Sequence, residues 1–277
     1  MRFANVNGRS ALITDGGALD VEKASNGRFS SDPAKIFLAW EEFRQWAGAA
    51  TGDPISFDIA DLRSPSPEPT QIFAIGLNYL DHAMEAGVKE EPLTPAVFTK
   101  FRSCLSGPEP YLKLPSANVD WEVELVAVIG KPAHAVSIEN GLDHVAGLAV
   151  GQDYSERLVQ LEGAMPQFSF GKSFPGFGPI GPWLVSLDEF SNPNDLAISC
   201  TLNGETMQSS RTSKLIFSLP ELINRLSHVC ALQPGDIIFT GTPSGVGGAR
   251  DPKIFLRPGD EIISRIEGIG EIRQICR

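Results

Sequence analysis

Apolar residues along this chain fall mostly into short alternating or β-branched runs and only rarely into helical stripes. Gln71 to Gly76, Val97 to Lys100, Leu125 to Ile129, His144 to Val150, Leu196 to Leu202 and Ile237 to Thr240 each predict a strand, and residues 261–276 predict the last ones. Asn203-Gly204 is a two-residue hairpin signal, and residues 1–25 read as short strands and turns. Helices are few. Asp32-Pro33 opens one whose Ile36, Phe37, Trp40, Phe43 and Trp46 recur at helical spacing, an aromatic packing face. Leu77 to Gly87 has helical character and ends at a glycine. A third helix begins near Ser155, and a capping box, Ser218-Leu-Pro-Glu221, opens a fourth with Leu222, Ile223, Leu226 and Val229 on one side. The pattern predicts a mainly β, α+β fold without βαβ alternation. Ser64 to Thr70 carries three prolines in seven residues and predicts an extended connector. It divides a small N-terminal domain, 1–65, from a main domain, 71–277.

The strand through Leu125–Ile129 continues backwards as Glu122-Val123-Glu124, so both glutamates face one side, roughly 6.5–7 Å apart. At about 6 Å two carboxylates repel by about 0.7 kcal/mol in water and about 3 kcal/mol at an effective dielectric of 20. A cation between them relieves this, and hard oxygen ligands suit Mg²⁺, Mn²⁺ or Ca²⁺ better than zinc. The alternative is a solvated edge strand whose Glu-x-Glu does nothing.

Of 277 residues, 42% are hydrophobic and 21% charged, an ordinary globular composition. The formal charge of −11 argues against nucleic acid or an anionic membrane as the main partner. Cys104, Cys200, Cys230 and Cys276 contain no Cys-x-x-Cys pair, which points to buried thiols in a reducing cytosol, with Cys276 near the chain end exposed. Met1 to Gly8 lacks the apolar core of a signal peptide, so the expected location is cytoplasmic.

Further candidates sit at strand ends. His82 and Glu85 are three apart, where a carboxylate can fix an imidazole's tautomer, though such pairs are common on solvated helices. Lys89 to Pro95 reads as a polar loop able to act as a lid. Asp153, just past an apolar strand, is equally a ligand or the cap of the next helix. Lys172 lies in a segment of four glycines and three prolines, Gly171 to Pro182, either as a surface lysine or as an electrophilic group near a metal. Gly241 to Gly248 can offer backbone N–H groups to a carboxylate or phosphate, but lacks the Gly-Lys-Ser/Thr ending of a nucleotide loop.

Five blocks then occur in order: Gly-Leu-Asn-Tyr-x-x-His-x-x-Glu from Gly76, Asp-Trp-Glu-x-Glu-Leu from Asp120, Gln152-Asp-Tyr154, Gly171-Lys-Ser-Phe174, and Pro-Gly-Asp-Ile-Ile-x-Thr-Gly-Thr-Pro-x-Gly-Val-Gly from Pro234. Residues 71–277 thereby resemble the fumarylacetoacetate hydrolase superfamily. The resemblance implies a β-rich roll, a homodimer, and one divalent ion, Mg²⁺ or Mn²⁺, with no organic cofactor. It implies Glu122, Glu124 and Asp153 as metal ligands, His82 with Glu85 as the dyad that activates water under a closing lid helix, and Lys172 as oxyanion stabiliser. It places Gln160, Thr242 and Tyr154 near the substrate, a small keto acid. Leu77 stands where similar acylpyruvate-cleaving members have arginine. The implied reaction is metal-dependent hydrolysis of a C–C bond in a β-diketo acid, of acylpyruvate or diketo-deoxy sugar acid type. Decarboxylation of an oxaloacetate-like β-keto acid, isomerisation of a dienoic diacid, and non-catalytic carboxylate binding are the alternatives.

Overall fold

The computed structural model describes residues 1–277 and is built on two packed sheets. The larger runs, in spatial order, through Gly17–Asp20, Arg9–Thr14, Arg2–Val6, Gly178–Val185, Val145–Gln152, Val123–Ile129, Ile237–Phe239, Ile72–Gly76 and Ala96–Thr99, with Leu62–Arg63 and Leu105–Ser106 attached at its side. The smaller runs through Glu205–Arg211, Ala197–Leu202, Glu261–Ile266, Gly270–Cys276 and Tyr111–Leu112. Asn203 and Gly204 both take positive φ, 52° and 84°, and so close the hairpin that their identities predict.

Period-two alternation decides which core each residue joins. Leu125, Ala127 and Ile129 enter a cluster shared with Ile198, Leu202, Ile262 and Ile272 of the smaller sheet. Val126 and Val128 enter a second cluster with Phe3, Phe37, Trp40 and Phe43. The aromatic stripe is therefore a packing face, although its helix is interrupted: Pro33–Ile36 and Trp40–Ala47 flank a 3₁₀ turn, Phe37–Ala39. Asp32 caps the first piece by accepting from the Ala34 N–H at 3.0 Å.

The N-terminal segment does not pack as a separate unit. Its first strand pairs with the main sheet, Arg2 opposite Val185 and Phe3 opposite Leu184, and its aromatics share the second core with Ile72, Ala149 and Phe239. The proline-rich connector is buried at Ser64 to Ser66 and tied down by Ser66 Oγ donating to the Gly235 carbonyl at 2.7 Å. It is a fixed crossing rather than a spacer.

Three local expectations are corrected. Ser218 begins Leu219–Ser227 without a side-chain cap, and Glu221 pairs with Arg225 at 2.9 Å rather than reaching back to the Ser218 N–H. The helix after Asp153 is Arg157–Gln160, capped by Glu156, whose carboxylate accepts from the Val159 N–H at 2.6 Å. Cys276 is buried, since the last strand lies inside the smaller sheet. No helix is long and apolar enough to cross a membrane.

Candidate active site

Strand register brings distant segments to one place. Val123 pairs with Gln152, so the start of Val123–Ile129 and the end of Val145–Gln152 lie side by side. Phe239 pairs with Val126 on the other flank and with Ala74 beyond it, which adds the ends of Ile237–Phe239 and Ile72–Gly76. Four neighbouring strands thus empty Glu122, Glu124, Asp153, the Gly241–Gly248 loop and the His82 helix onto one end of the sheet.

Candidate ligand oxygens of Glu122, Glu124 and Asp153 all lie within 4.8 Å of one another, and all three residues are buried. Two charges at 4.8 Å repel by about 3–4 kcal/mol at an effective dielectric of 20, so the trio cannot sit ionised without cations. Burial, then the nearby Asp153 and Glu122, push the Glu124 carboxyl well above the usual carboxylate range, against the Gly241 N–H that donates to it at 2.8 Å. Burial also opposes charge on Glu122, but Lys172 and Arg157 outweigh it and hold that carboxyl at about 2. Lys172 Nζ donates to Glu122 at 2.9 Å, to Asp153 at 2.7 Å and to Ser155 Oγ at 2.7 Å. Lys100 Nζ donates to Asp153 and to the Lys172 carbonyl. Three converging hard-oxygen groups with free lone pairs fit Mg²⁺ or Mn²⁺, and these are the residues that would hold the ion.

His82 lies on the short helix Leu80–Glu85, its Nδ1 2.8 Å from Glu85 Oε1. The Gly245 N–H donates to both Glu85 oxygens, at 3.1 and 3.0 Å, and Ser244 Oγ donates to Asp81 at 3.0 Å. The pair thus fixes the imidazole and leaves Nε2 for chemistry. The turn into this helix is held by Asn78, whose amide donates to the Phe217 and Thr240 carbonyls at 3.0 and 2.7 Å.

The glycine loop does cradle carboxylates, but they are the chain's own. Gly241 N–H goes to Glu124, Gly245 N–H to Glu85, and the Gly247 and Gly248 N–H groups to Asp120, at 2.7 Å each. A Cβ on Gly247 would stand 1.9 Å from the Ile254 carbonyl oxygen, which makes glycine obligatory there. Asp120 also takes Arg157 Nε at 2.8 Å, while Arg157 Nη1 reaches Glu122 at 2.7 Å and Gln160 at 2.9 Å.

A cavity of about 420 Å³ opens over the carboxylates. His82, Glu85, Glu122, Asp153, Lys172, Gln160 and Thr242 line it, as does Leu77. Gln160 Oε1 is taken by Arg157, so its NH₂ is the group left to donate. Thr242 borders the cavity with its hydroxyl proton already given to the Val123 carbonyl at 2.9 Å and its oxygen accepting from Gln208 at 2.7 Å. Tyr154 is not on the wall at all: it turns into the main core and donates to Gln274 at 2.9 Å, facing away from its neighbour Asp153. Lys100, Asp120, Arg157 and Lys253 were not singled out by sequence. Nothing in their spacing distinguishes them from ordinary charges, except that Asp120 opens the Glu-x-Glu block.

Comparison with known proteins bears on this arrangement. The family model for the Fumarylacetoacetate (FAA) hydrolase C-terminal domain matches residues 71–276. A mitochondrial oxaloacetate tautomerase FAHD2A from Bos taurus is 44% identical over 211 residues, covering 76% of this chain and 67% of that one. A crystal structure from Mycobacterium smegmatis, provisionally named HpcE, superposes with a TM-score of 0.94 at 48% identity, covering 100% of this chain and 99% of that one. Maleylpyruvate hydrolase from Sphingobium sp. SYK-6, solved with manganese(II) and pyruvate, superposes with a TM-score of 0.79 at 29% identity over 100% and 98% of the two chains.

Proposed function

The chain belongs to the fumarylacetoacetate hydrolase family, and on that premise we propose that it catalyses keto–enol interconversion of an oxaloacetate-like β-keto diacid, dependent on a divalent ion. The observation that carries this reading is the convergence on one cavity of Glu122 and Asp153 with the His82–Glu85 pair, Glu124 lying beside the other two acids. Bound there, the ion would draw electron density from a carbonyl and make the neighbouring C–H more acidic. His82, its Nδ1 held by Glu85, is the group that moves the proton through Nε2. Lys172 keeps an ammonium within the site, where it can face negative charge developing on an oxygen. The bovine tautomerase supports this choice of reaction at 44% identity.

C–C hydrolysis of an acylpyruvate is the second reading. It is favoured by the cavity of about 420 Å³, which lies in the range that takes drug-sized ligands and is roomier than a four-carbon diacid needs. In that reaction His82 takes its proton from water instead of carbon.

The two separate by product. With Mn²⁺ or Mg²⁺ supplied, decay of the enol absorbance of oxaloacetate should be accelerated, and His82→Ala should lower the rate by on the order of 10²-fold or more. Pyruvate released from an acylpyruvate, with no acceleration of ketonisation, would transfer the assignment to the hydrolase reading.

A further inference from the structure

Of the cations on the cavity wall, two are already spent. Arg157 is bound to Asp120 and Glu122, and Lys172 to Glu122 and Asp153. Lys253 is different: it lines the same cavity, is exposed, and makes no ion pair or hydrogen bond. Its backbone is nonetheless fixed on its C-terminal side. The Ile254 N–H donates to the Gly247 carbonyl at 3.1 Å and the Leu256 N–H to the Val119 carbonyl at 2.9 Å, and Gly247 is itself pinned by Asp120. The chain next to this unpaired, exposed lysine is therefore anchored to the same network that positions Arg157.

The rest of the wall is largely apolar. Phe98, Phe168, Val246 and Phe255 are apolar, and Leu77 contributes no charge on its side. A ligand filling this space meets carboxylates that would hold a hard cation, a hydrocarbon lining and one free lysine. We infer that Lys253 is a specificity-determining residue that binds a second, distal carboxylate of the substrate, so that the cavity selects keto diacids over keto monoacids of equal length. This rests on the keto-acid reading of the site and adds to it the end of the molecule that chemistry does not touch. Recognition by a rim ammonium is a single charge-assisted contact in partial solvent, so its effect belongs to affinity and KM more than to turnover.

The test uses two ligands that share a six-carbon chain, 2-oxoadipate and 2-oxohexanoate, which differ in the distal carboxylate alone. Calorimetric titration into the Mn²⁺-loaded full-length protein should give about tenfold or more tighter binding of 2-oxoadipate. Lys253→Gln should bring the ratio of the two affinities to within about twofold, and Lys253→Arg should restore most of the preference. A preference that survives Lys253→Gln, or a wild-type protein that binds both equally, would overturn the assignment of Lys253. Failure of the wild type to bind either ligand would instead bring down the keto-acid reading, and this inference with it.

Discussion

Glu124 sets stability against function within one side chain. Burial first, and then Asp153 and Glu122, raise its carboxyl well above the ordinary range, so the folded metal-free protein keeps a proton that the unfolded chain loses near its usual pKa of about 4.3. More protons on the folded state means that stability from this group is full below that value and declines as pH climbs toward the raised one. Glu124→Gln should therefore raise the melting temperature of chelator-treated protein at pH 8 by about 2–6 °C, and flatten its fall between pH 5 and 8. The same change should abolish Mn²⁺ binding in calorimetry; a variant with unaltered melting and metal affinity would contradict the geometry. The thiols make a simpler test. Cys104, Cys200 and Cys276 are buried and burial pushes Cys200 and Cys276 up to about 12, so a thiol reagent should label Cys230 alone in the native protein and all four after unfolding. At this scale, side chains whose roles follow from alternation were legible: Glu122, Glu124 and Asp153 stand where strand ends put them. Lys100 and Arg157 were not, because a cation that neutralises a buried acid comes from wherever the fold brings it, and its own sequence neighbours carry no trace of the partner. Tyr154 misled for the opposite reason, since adjacency to Asp153 in sequence means the opposite direction in space.

At the level of elements, Asp120 joins the loop that holds the His82 helix to the helix that carries Arg157. It accepts from the Gly247 and Gly248 N–H groups and from Arg157 while fully buried. Asp120→Ala leaves two loop N–H groups unmatched and takes from Arg157 one of its two carboxylate partners, and should cost about 3–5 kcal/mol in denaturant unfolding along with most activity. Ser244→Ala removes the exposed contact to Asp81 from the same loop and should cost under about 1 kcal/mol. Equal losses for the two would mean that the loop is not organised around Asp120. Sequence located this loop and its affinity for carboxylates, yet not which carboxylates, because glycine spacing reports backbone freedom and is silent about what the freed N–H groups meet. The capping box failed for a related reason: Ser218 and Glu221 have the spacing, but Arg225 one turn on is a stronger partner for the glutamate.

For the whole molecule, the proline-rich stretch reads in sequence as a border and in space as a seam. Strand pairing and the second core both cross it, through Arg2, Phe3 and the Phe37–Phe43 aromatics. A fragment of residues 71–277 would expose the face of the large sheet that Phe3, Phe37, Trp40 and Phe43 cover, and should be insoluble or lack a cooperative thermal transition. The full chain should melt in one; a soluble, cooperatively folded fragment would show two independent units after all. The layered β architecture was readable from period-two alternation, whereas the sharing of one sheet by both segments was not, since strand partners far apart in sequence leave no local signal. The glutamates share their sheet face with that N-terminal layer, so the site and the seam belong to one packing unit. The most direct test of the account is a calorimetric titration of Mn²⁺ into chelator-stripped protein, wild type beside Glu122→Gln, Glu124→Gln and Asp153→Asn. One ion per chain in the wild type, tightened by added pyruvate and weakened by at least about 100-fold in each variant, is the expected result; wild-type binding that survives all three substitutions would contradict it.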